Sequence, residues 1–259
     1  MITKNNLLSF ASDDDEKLIF AKLFDKVGAA ERTFSPTFSV FINPFVAHKA
    51  ADLLKSTNTQ IMLYGGYKEA ERVMMGFFPE FTEANETDFP IKILEIAYST
   101  KFSSTLTHRE ILGSVLGLGI TREKIGDIII QEGRAVIYCT DDVSDYILTS
   151  LTRASRTSVK VKLLEGFIPD KLNEKVKKIT VASLRLDLFL SKAFGISRGK
   201  AAELIHAQKA FVNWGIPKNN SVTLSPGDII TLRGYGRVKI NALEGKTKKD
   251  NTVIAITVY

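Results

Sequence analysis

Residues 196–214, ISRGKAAELIHAQKAFVNW, place two cations where elementary electrostatics disfavours them. Ser197 is a residue type that caps helix N-termini, so Arg198, Gly199 and Lys200 fall in a first turn. A helix start presents unpaired N–H groups and roughly half a positive charge. A cation there costs about 0.3–1 kcal/mol. Keeping both Arg198 and Lys200 raises the question of what this helix end holds.

The surrounding residues supply the elements that would position them. SLRLDLFLSKAFG has Leu186, Phe189, Leu190 and Ala193 on one stripe, which predicts a helix with Arg185 and Lys192, seven apart, beside it. The next helix buries Ala201, Leu204 and Ile205. KAFVNW predicts a strand, SPGD a type II turn with Pro226 and Gly227 at its centre, and IITLRG another strand. Two short helices and a small sheet would bring Arg185, Lys192, Arg198 and Lys200 to one surface.

Charge is concentrated in this part of the chain. The 259 residues carry a net +6, but residues 160–259 hold 18 Lys and Arg against 8 Asp and Glu, a balance of +10. Residues 1–159 are left at −4. Such asymmetry fits a polyanion-binding module joined to a near-neutral body, and it equally fits a solubilising surface. An apolar fraction of 44% implies folded cores. No apolar run reaches the 18 or so residues needed to cross a bilayer, and the N-terminus lacks a signal peptide's apolar stretch, so a cytoplasmic protein without membrane insertion is expected. The single cysteine, Cys139 in AVIYC, reads as a buried strand thiol.

The fold class expected is α+β. Residues 1–85 form a mixed N-terminal domain in which helices dominate: SDDDEKLIFAKLFDKVGAAERT has a cap at Ser12 and an acidic first turn, and NPFVAHKAADLLKS has Asn43 capping with Pro44 next. Residues 86–165 alternate as strand, helix capped by Thr107, two strands around Glu132 and Gly133, helix, strand. That is the ferredoxin-like, split βαβ order, shared with RNA-recognition domains. Those domains display aromatics on their central strands, and no matching motif occurs here, so base stacking by this domain is not expected. Residues 166–182, with Lys175, Lys177 and Lys178, read as a basic linker, leaving 183–259 as a small C-terminal domain ending in a hairpin.

LRLDLFLSKAFGISRGKAAELIHAQKAFVNW followed by SPGDIITLRG resembles the alpha-L RNA-binding domain, found in small-subunit ribosomal protein four and many RNA-modifying proteins. Its R-L-D, S-R, V-N and P-G-D elements are spread over about 60 residues. With GGYKEAER, HREILGSVLGLGI and GDIITLRGYGRVKI, the wider chain resembles the YlmH family. This resemblance implies phosphate as the ligand, since phosphate exploits free N–H groups and the helix dipole together. It assigns RNA contacts to Arg185, Arg198 and Lys200. Lys192 and Ser197 accompany them, Gly199 allows close backbone approach, and Lys209 and Asn213 rank second on the same edge. Asp187 orients Arg185 or caps within the fold. His206 reads as a surface helix residue. Trp214, where many relatives have glycine, either stacks on a base or is partly buried.

Enzyme signatures are missing. About 20 residues follow residue 240, too few for a pseudouridine synthase catalytic domain in its usual place. VLGLGI follows a helix rather than the strand that a methyltransferase cofactor turn needs. Phosphate-loop, zinc-ligand and nucleophile-elbow patterns are absent, and His48, His108 and His206 are scattered. The expectation is a noncatalytic protein with no cofactor and no metal, binding rRNA or tRNA on the large ribosomal subunit in ribosome quality control or translation homeostasis. The alternative is a cell-division-associated interaction protein using its first two domains. Arg198→Glu is expected to weaken RNA binding while leaving melting nearly unchanged.

Overall fold

The computed structural model describes residues 3–68, 70–100, 105–169 and 175–259. The chain divides into two compact units, Met1–Ile168 and Pro169–Tyr259.

In the first unit, four of the five described α-helices start where a short polar side chain satisfies a free N–H group. After α1 (Lys4–Ser9), α2 (Asp14–Thr33) is capped by Asp13, whose carboxylate accepts from Glu16 N at 2.8 Å. The cap is therefore one residue later than the expected Ser12, which instead donates its own N–H to the Glu16 carboxylate. The chain continues through β1 (Thr37–Phe38), α3 (Pro44–Leu54) with Asn43 as its cap, β2 (Thr59–Tyr64) and β3 (Met74–Pro79). The three strands form an antiparallel sheet in the order β1-β3-β2.

Every residue of β3 is buried, because each face meets a different core. Met75 and Phe77 pack with Phe20, Leu23, Val27, Ala47 and Leu54 of the helices. Met74 and Phe78 pack with Phe41, Phe89, Val136 and Tyr138, side chains that reach into the next sheet. Gly76 lies between them because a Cβ there would come within 2.8 Å of the Phe78 and Phe89 rings.

That next sheet is built from β4 (Ile91–Tyr98), α4 (His108–Leu116), β5 (Ile125–Gln131), β6 (Arg134–Thr140), α5 (Asp141–Ser150), the short β7 (Arg153–Ala154) and β8 (Thr157–Leu164). Thr107 and Glu110 close a capping box on α4. Strand order is β5-β6-β4-β8-β7, all antiparallel, which is the split βαβ arrangement. Leu94, Ile96, Ile137 and Val159 face α4 and α5 together with Ile111, Val115 and Ile147. Cys139 is fully buried there, and burial pushes its thiol up to about 12.

The opposite face of this sheet is partly occupied. Tyr138 is 0% exposed, its ring 5.2 Å from that of Tyr67 and its hydroxyl donating to Phe167 O at 2.6 Å. The GGYKEAER segment makes a polar seam beside it. The buried Asp127 carboxylate accepts from Tyr67 Oη at 2.7 Å, Glu71 N at 2.6 Å and Arg72 N at 3.0 Å. Arg72 donates in turn to the carbonyls of Ile125 and Phe41. Tyr67 and Arg72 thus tie this loop to β5. Burial pushes the Asp127 carboxyl up despite these donors.

The second unit contains β9 (Lys175–Val181), α6 (Leu186–Phe194), α7 (Arg198–His206), β10 (Ala210–Val212), β11 (Ile229–Leu232), β12 (Gly236–Lys246) and β13 (Thr252–Val258). Its antiparallel sheet has the order β10-β11-β12-β13-β9. Leu186, Phe189 and Leu190 of α6 and Ala201, Leu204 and Ile205 of α7 pack on Ile230, Val238, Ile240, Ile254 and Ile256.

One expectation is corrected here. The lysine-rich stretch read as a linker is, from residue 175, a strand paired with β13 along its whole length. An edge strand tolerates lysines, and they discourage pairing with a further strand, so the polar composition concealed it. Lys177 donates to Ala193 O at 3.0 Å and Lys178 pairs with Glu244 at 2.7 Å. Residues 170–174 of that stretch, and the Lys175 side chain, lie outside the described residues.

Candidate nucleic-acid interface

The entry to α6 is pinned by backbone hydrogen bonds. Leu186 N donates to Val222 O at 2.9 Å and Leu224 N to Leu184 O at 2.8 Å, with a bridge between Arg185 and Thr223. Arg185 is therefore the N-cap of α6 rather than a residue on its face alongside Lys192.

Two residues on, in the first turn of α6, Asp187 organises the site. Its side chain is 2% exposed and accepts four hydrogen bonds. Arg185 donates through Nε at 3.1 Å and Nη2 at 3.0 Å, Arg198 through Nε at 2.9 Å, and Leu188 through its backbone N at 3.0 Å. Burial alone would raise this carboxyl, but the Arg185, Arg198 and Leu188 hydrogen bonds outweigh it and hold Asp187 below its ordinary 3.8. The two guanidiniums remain 39% and 58% exposed. One carboxylate holding two arginines leaves one positive charge in excess, at fixed positions.

This geometry revises the electrostatic puzzle. Arg198 is not simply an unfavourable first-turn cation, because α6 supplies its counter-charge across the helix pair. Lys200 likewise pairs with Glu203 at 2.8 Å on the exposed face of α7. Ser197 Oγ accepts from Lys200 N at 3.1 Å, while the N–H groups of Arg198 and Gly199 have no partner among the described residues. A Cβ built on Gly199 would meet nothing within 4 Å, so the backbone there is open and packing does not demand glycine.

The remaining candidates separate into two kinds. Lys192 and Lys209 are exposed and their ammonium groups have no partner among the described residues. Asn213 is committed internally: its amide donates to Asp228 at 2.8 Å, its oxygen accepts from Ile229 N at 2.9 Å, and it turns with φ +48°. It pins the β10–β11 connection. Trp214 follows at φ +64°, half-buried, with its indole N–H enclosed and unpaired. No contact among the described residues links Lys192, Lys209 or Asn213 to the Asp187 cluster. Sequence reasoning passed over Arg233, whose guanidinium lies 4.7 Å from the Phe211 ring centre and whose backbone N–H donates to Lys209 O at 2.9 Å. The LRG stretch carried no spacing signal for that pairing, which joins two strands.

Among the described residues, no group of three or more His, Cys, Asp or Glu is placed to hold a metal, and no helix is long and apolar enough to cross a membrane.

Fold and site define an α+β protein with a split βαβ sheet in its first unit and, in its second, a helix pair on an antiparallel sheet presenting carboxylate-held arginines. Residues 84–166 match the family model described as "Putative RNA-binding domain in YlmH". The chain is 35% identical over 189 residues to "Ribosome-associated protein quality control protein P2" of Bacillus subtilis (strain 168), covering 72% of this chain and 73% of that protein. It also matches the structure of "Cell division protein ylmH from Streptococcus pneumoniae" with a TM-score of 0.52 and 24% identity, over 60% of this chain and 93% of the other. The chain belongs to the YlmH family.

Proposed function

We propose that this chain is a noncatalytic RNA-binding protein that engages structured rRNA or tRNA on the large ribosomal subunit, in ribosome quality control or translation homeostasis. The observation that carries this reading is the Asp187 cluster. It holds Arg185 and Arg198 at the open start of α7, where unpaired N–H groups of Arg198 and Gly199 add to the attraction for phosphate. The name of the Bacillus subtilis relative supports the ribosomal setting. Affinity would come chiefly from neutralising phosphates, and the rigid arginine pair would favour a shaped backbone over a particular sequence.

The site's geometry changes how the proposal is tested. Arg198→Glu would set a carboxylate against the buried Asp187, so the melting point should fall, contrary to the expectation from sequence. Lys192→Glu/Lys209→Glu leaves the cluster intact and tests whether the two unpaired lysines of the same unit add to RNA binding. In sucrose gradients of native lysate, the wild type should travel with large subunits and the reversed variant should shift toward the top at moderate salt. Wild type remaining at the top at low salt would overturn the ribosomal reading.

A second reading is favoured by one feature of the first unit. A cleft of about 1250 Å³ is lined by Ile19, Leu23, Phe38, Val40 and Met74 and rimmed by charges of both signs, a surface suited to a protein partner. The cell-division name of the Streptococcus pneumoniae relative is the reason to test a division-associated protein there. A pull-down that survives nuclease and high salt would support it.

A further inference from the structure

The sheet of the first unit repeats the device of the Asp187 cluster. Glu95, on β4, is 7% exposed, and its two carboxylate oxygens are shared between Arg134 on β6 and Lys162 on β8, each at 3.0 Å. Those cations are 42% and 63% exposed. Strand register extends the pattern. Arg134, Ala97 and Lys160 form one cross-strand row, Val136, Glu95 and Lys162 the next, and Arg153 lies opposite Ser158 on the same face. Residues directly opposite one another across strands share a face, so Arg134, Arg153, Lys160 and Lys162 all project from the side away from α4 and α5. Neither Arg153 nor Lys160 has an acidic partner among the described residues.

The rest of that face is closed. Val136 and Tyr138 are fully buried beneath Phe41, Met74 and Phe78. RNA-recognition domains stack bases on aromatics at this position of the sheet, and here the central-strand aromatic is covered. What remains open is a cationic row with one carboxylate beneath it. Phe167 lies beside it with the Arg134 guanidinium 5.7 Å from its ring centre.

Residues 84–166 match the family's "Putative RNA-binding domain"; beyond that description, we infer that this half of the sheet is a second RNA surface that grips phosphates and reads no bases, with Arg134, Arg153, Lys160 and Lys162 as its contacts. The inference rests on the reading of the chain as an RNA binder. Glu95 acts as a positioning residue: it fixes Arg134 and Lys162 so that less side-chain freedom is lost on binding. With its central-strand aromatic covered and its contacts cationic, this surface should meet phosphates rather than base edges and bind hairpins of unrelated sequence alike.

The test uses the full chain and fluorescent RNA hairpins of two unrelated sequences. Arg153→Glu/Lys160→Glu avoids both ion pairs of Glu95 and should fold as the wild type. It should weaken binding to both hairpins by about tenfold or more and lower the slope of log affinity against log salt by about 1.4–1.8, two phosphate contacts' worth. Arg198→Gln is measured alongside. If Arg198→Gln weakens binding and Arg153→Glu/Lys160→Glu does not, this second surface is refuted and the C-terminal site stands. If the wild type binds neither hairpin, the RNA reading itself fails. A loss confined to one hairpin would overturn the base-independent mode. Unchanged RNA binding, with loss of an acidic protein partner instead, would overturn the ligand class.

Discussion

Asp187 and Glu95 are two solutions to one problem, how to hold a pair of cations at a surface without letting them neutralise each other's purpose. Asp187 draws its partners from an N-cap and from the first turn of a neighbouring helix, eleven residues away, and is 2% exposed. Glu95 draws its partners from the two strands flanking its own, and its side chain is 9% exposed. The helix-pair version is the more enclosed and uses two planar guanidiniums, one of them bidentate. The sheet version is shallower and mixes an arginine with a lysine. Enclosure gives stronger orientation and a larger penalty when a partner is lost.

That contrast can be broken most directly by removing the cations. Arg185→Ala/Arg198→Ala strands a buried carboxylate and should cost about 3–5 kcal/mol in urea unfolding of the unit at neutral pH. Arg134→Ala/Lys162→Ala should cost less, about 1–2 kcal/mol, because Glu95 recovers water more easily. Equal losses would mean that enclosure does not distinguish the two. Acid should come next in size. Both carboxyls sit below their ordinary values: the Lys162 hydrogen bond, helped by Arg134, outweighs burial at Glu95, and the arginine bonds outweigh it at Asp187. A carboxyl lowered by folding binds fewer protons in the folded state, so its stabilisation is full above the unfolded value and fades as pH falls through the folded one. Carboxyl-resolved NMR titration should find Glu95 below 4.5 and Asp187 below 3.8, and wild-type stability should decline through those windows. A midpoint at or above either value would remove that carboxylate's role.

Smaller changes sharpen the comparison. Arg198→Lys keeps the charge but loses the fork, and should cost about 1 kcal/mol of stability, whereas Lys162→Arg should be tolerated within about 0.5 kcal/mol. Gly199→Ala should gain up to about 0.5–1 kcal/mol, since the added methyl meets open space and alanine favours helix. Any loss of RNA affinity in that variant, read by fluorescence titration, would report a phosphate lying against the backbone of the first turn.

Local signals made much of this molecule legible. The caps at Thr107 and at Asn43 with Pro44, the apolar runs of β4 and β6 and the alternation in β8 each act over a few residues, and the split βαβ order follows from such signals. At the candidate site, Arg185 and Asp187 are two apart, so their pairing was within reach. Arg198 was not, because its bond to Asp187 crosses between helices. For the same reason the covering of Tyr138, which depends on β3 being buried on both faces, had no local trace. The cap at Asp13 rather than Ser12 shows the opposite limit, adjacent residues with equal capping chemistry.

The strand at Lys175–Val181 also decides where the second unit can be cut. A fragment starting at residue 183 would keep both helices and all the candidate contacts of that unit, yet it would strip β13 of its outer neighbour. Thr252–Val258, a run of β-branched and small residues, would then become a bare edge with nothing to stop it pairing with its like in another molecule. A fragment that begins before Lys175 should stay monomeric at concentrations where the shorter one precipitates.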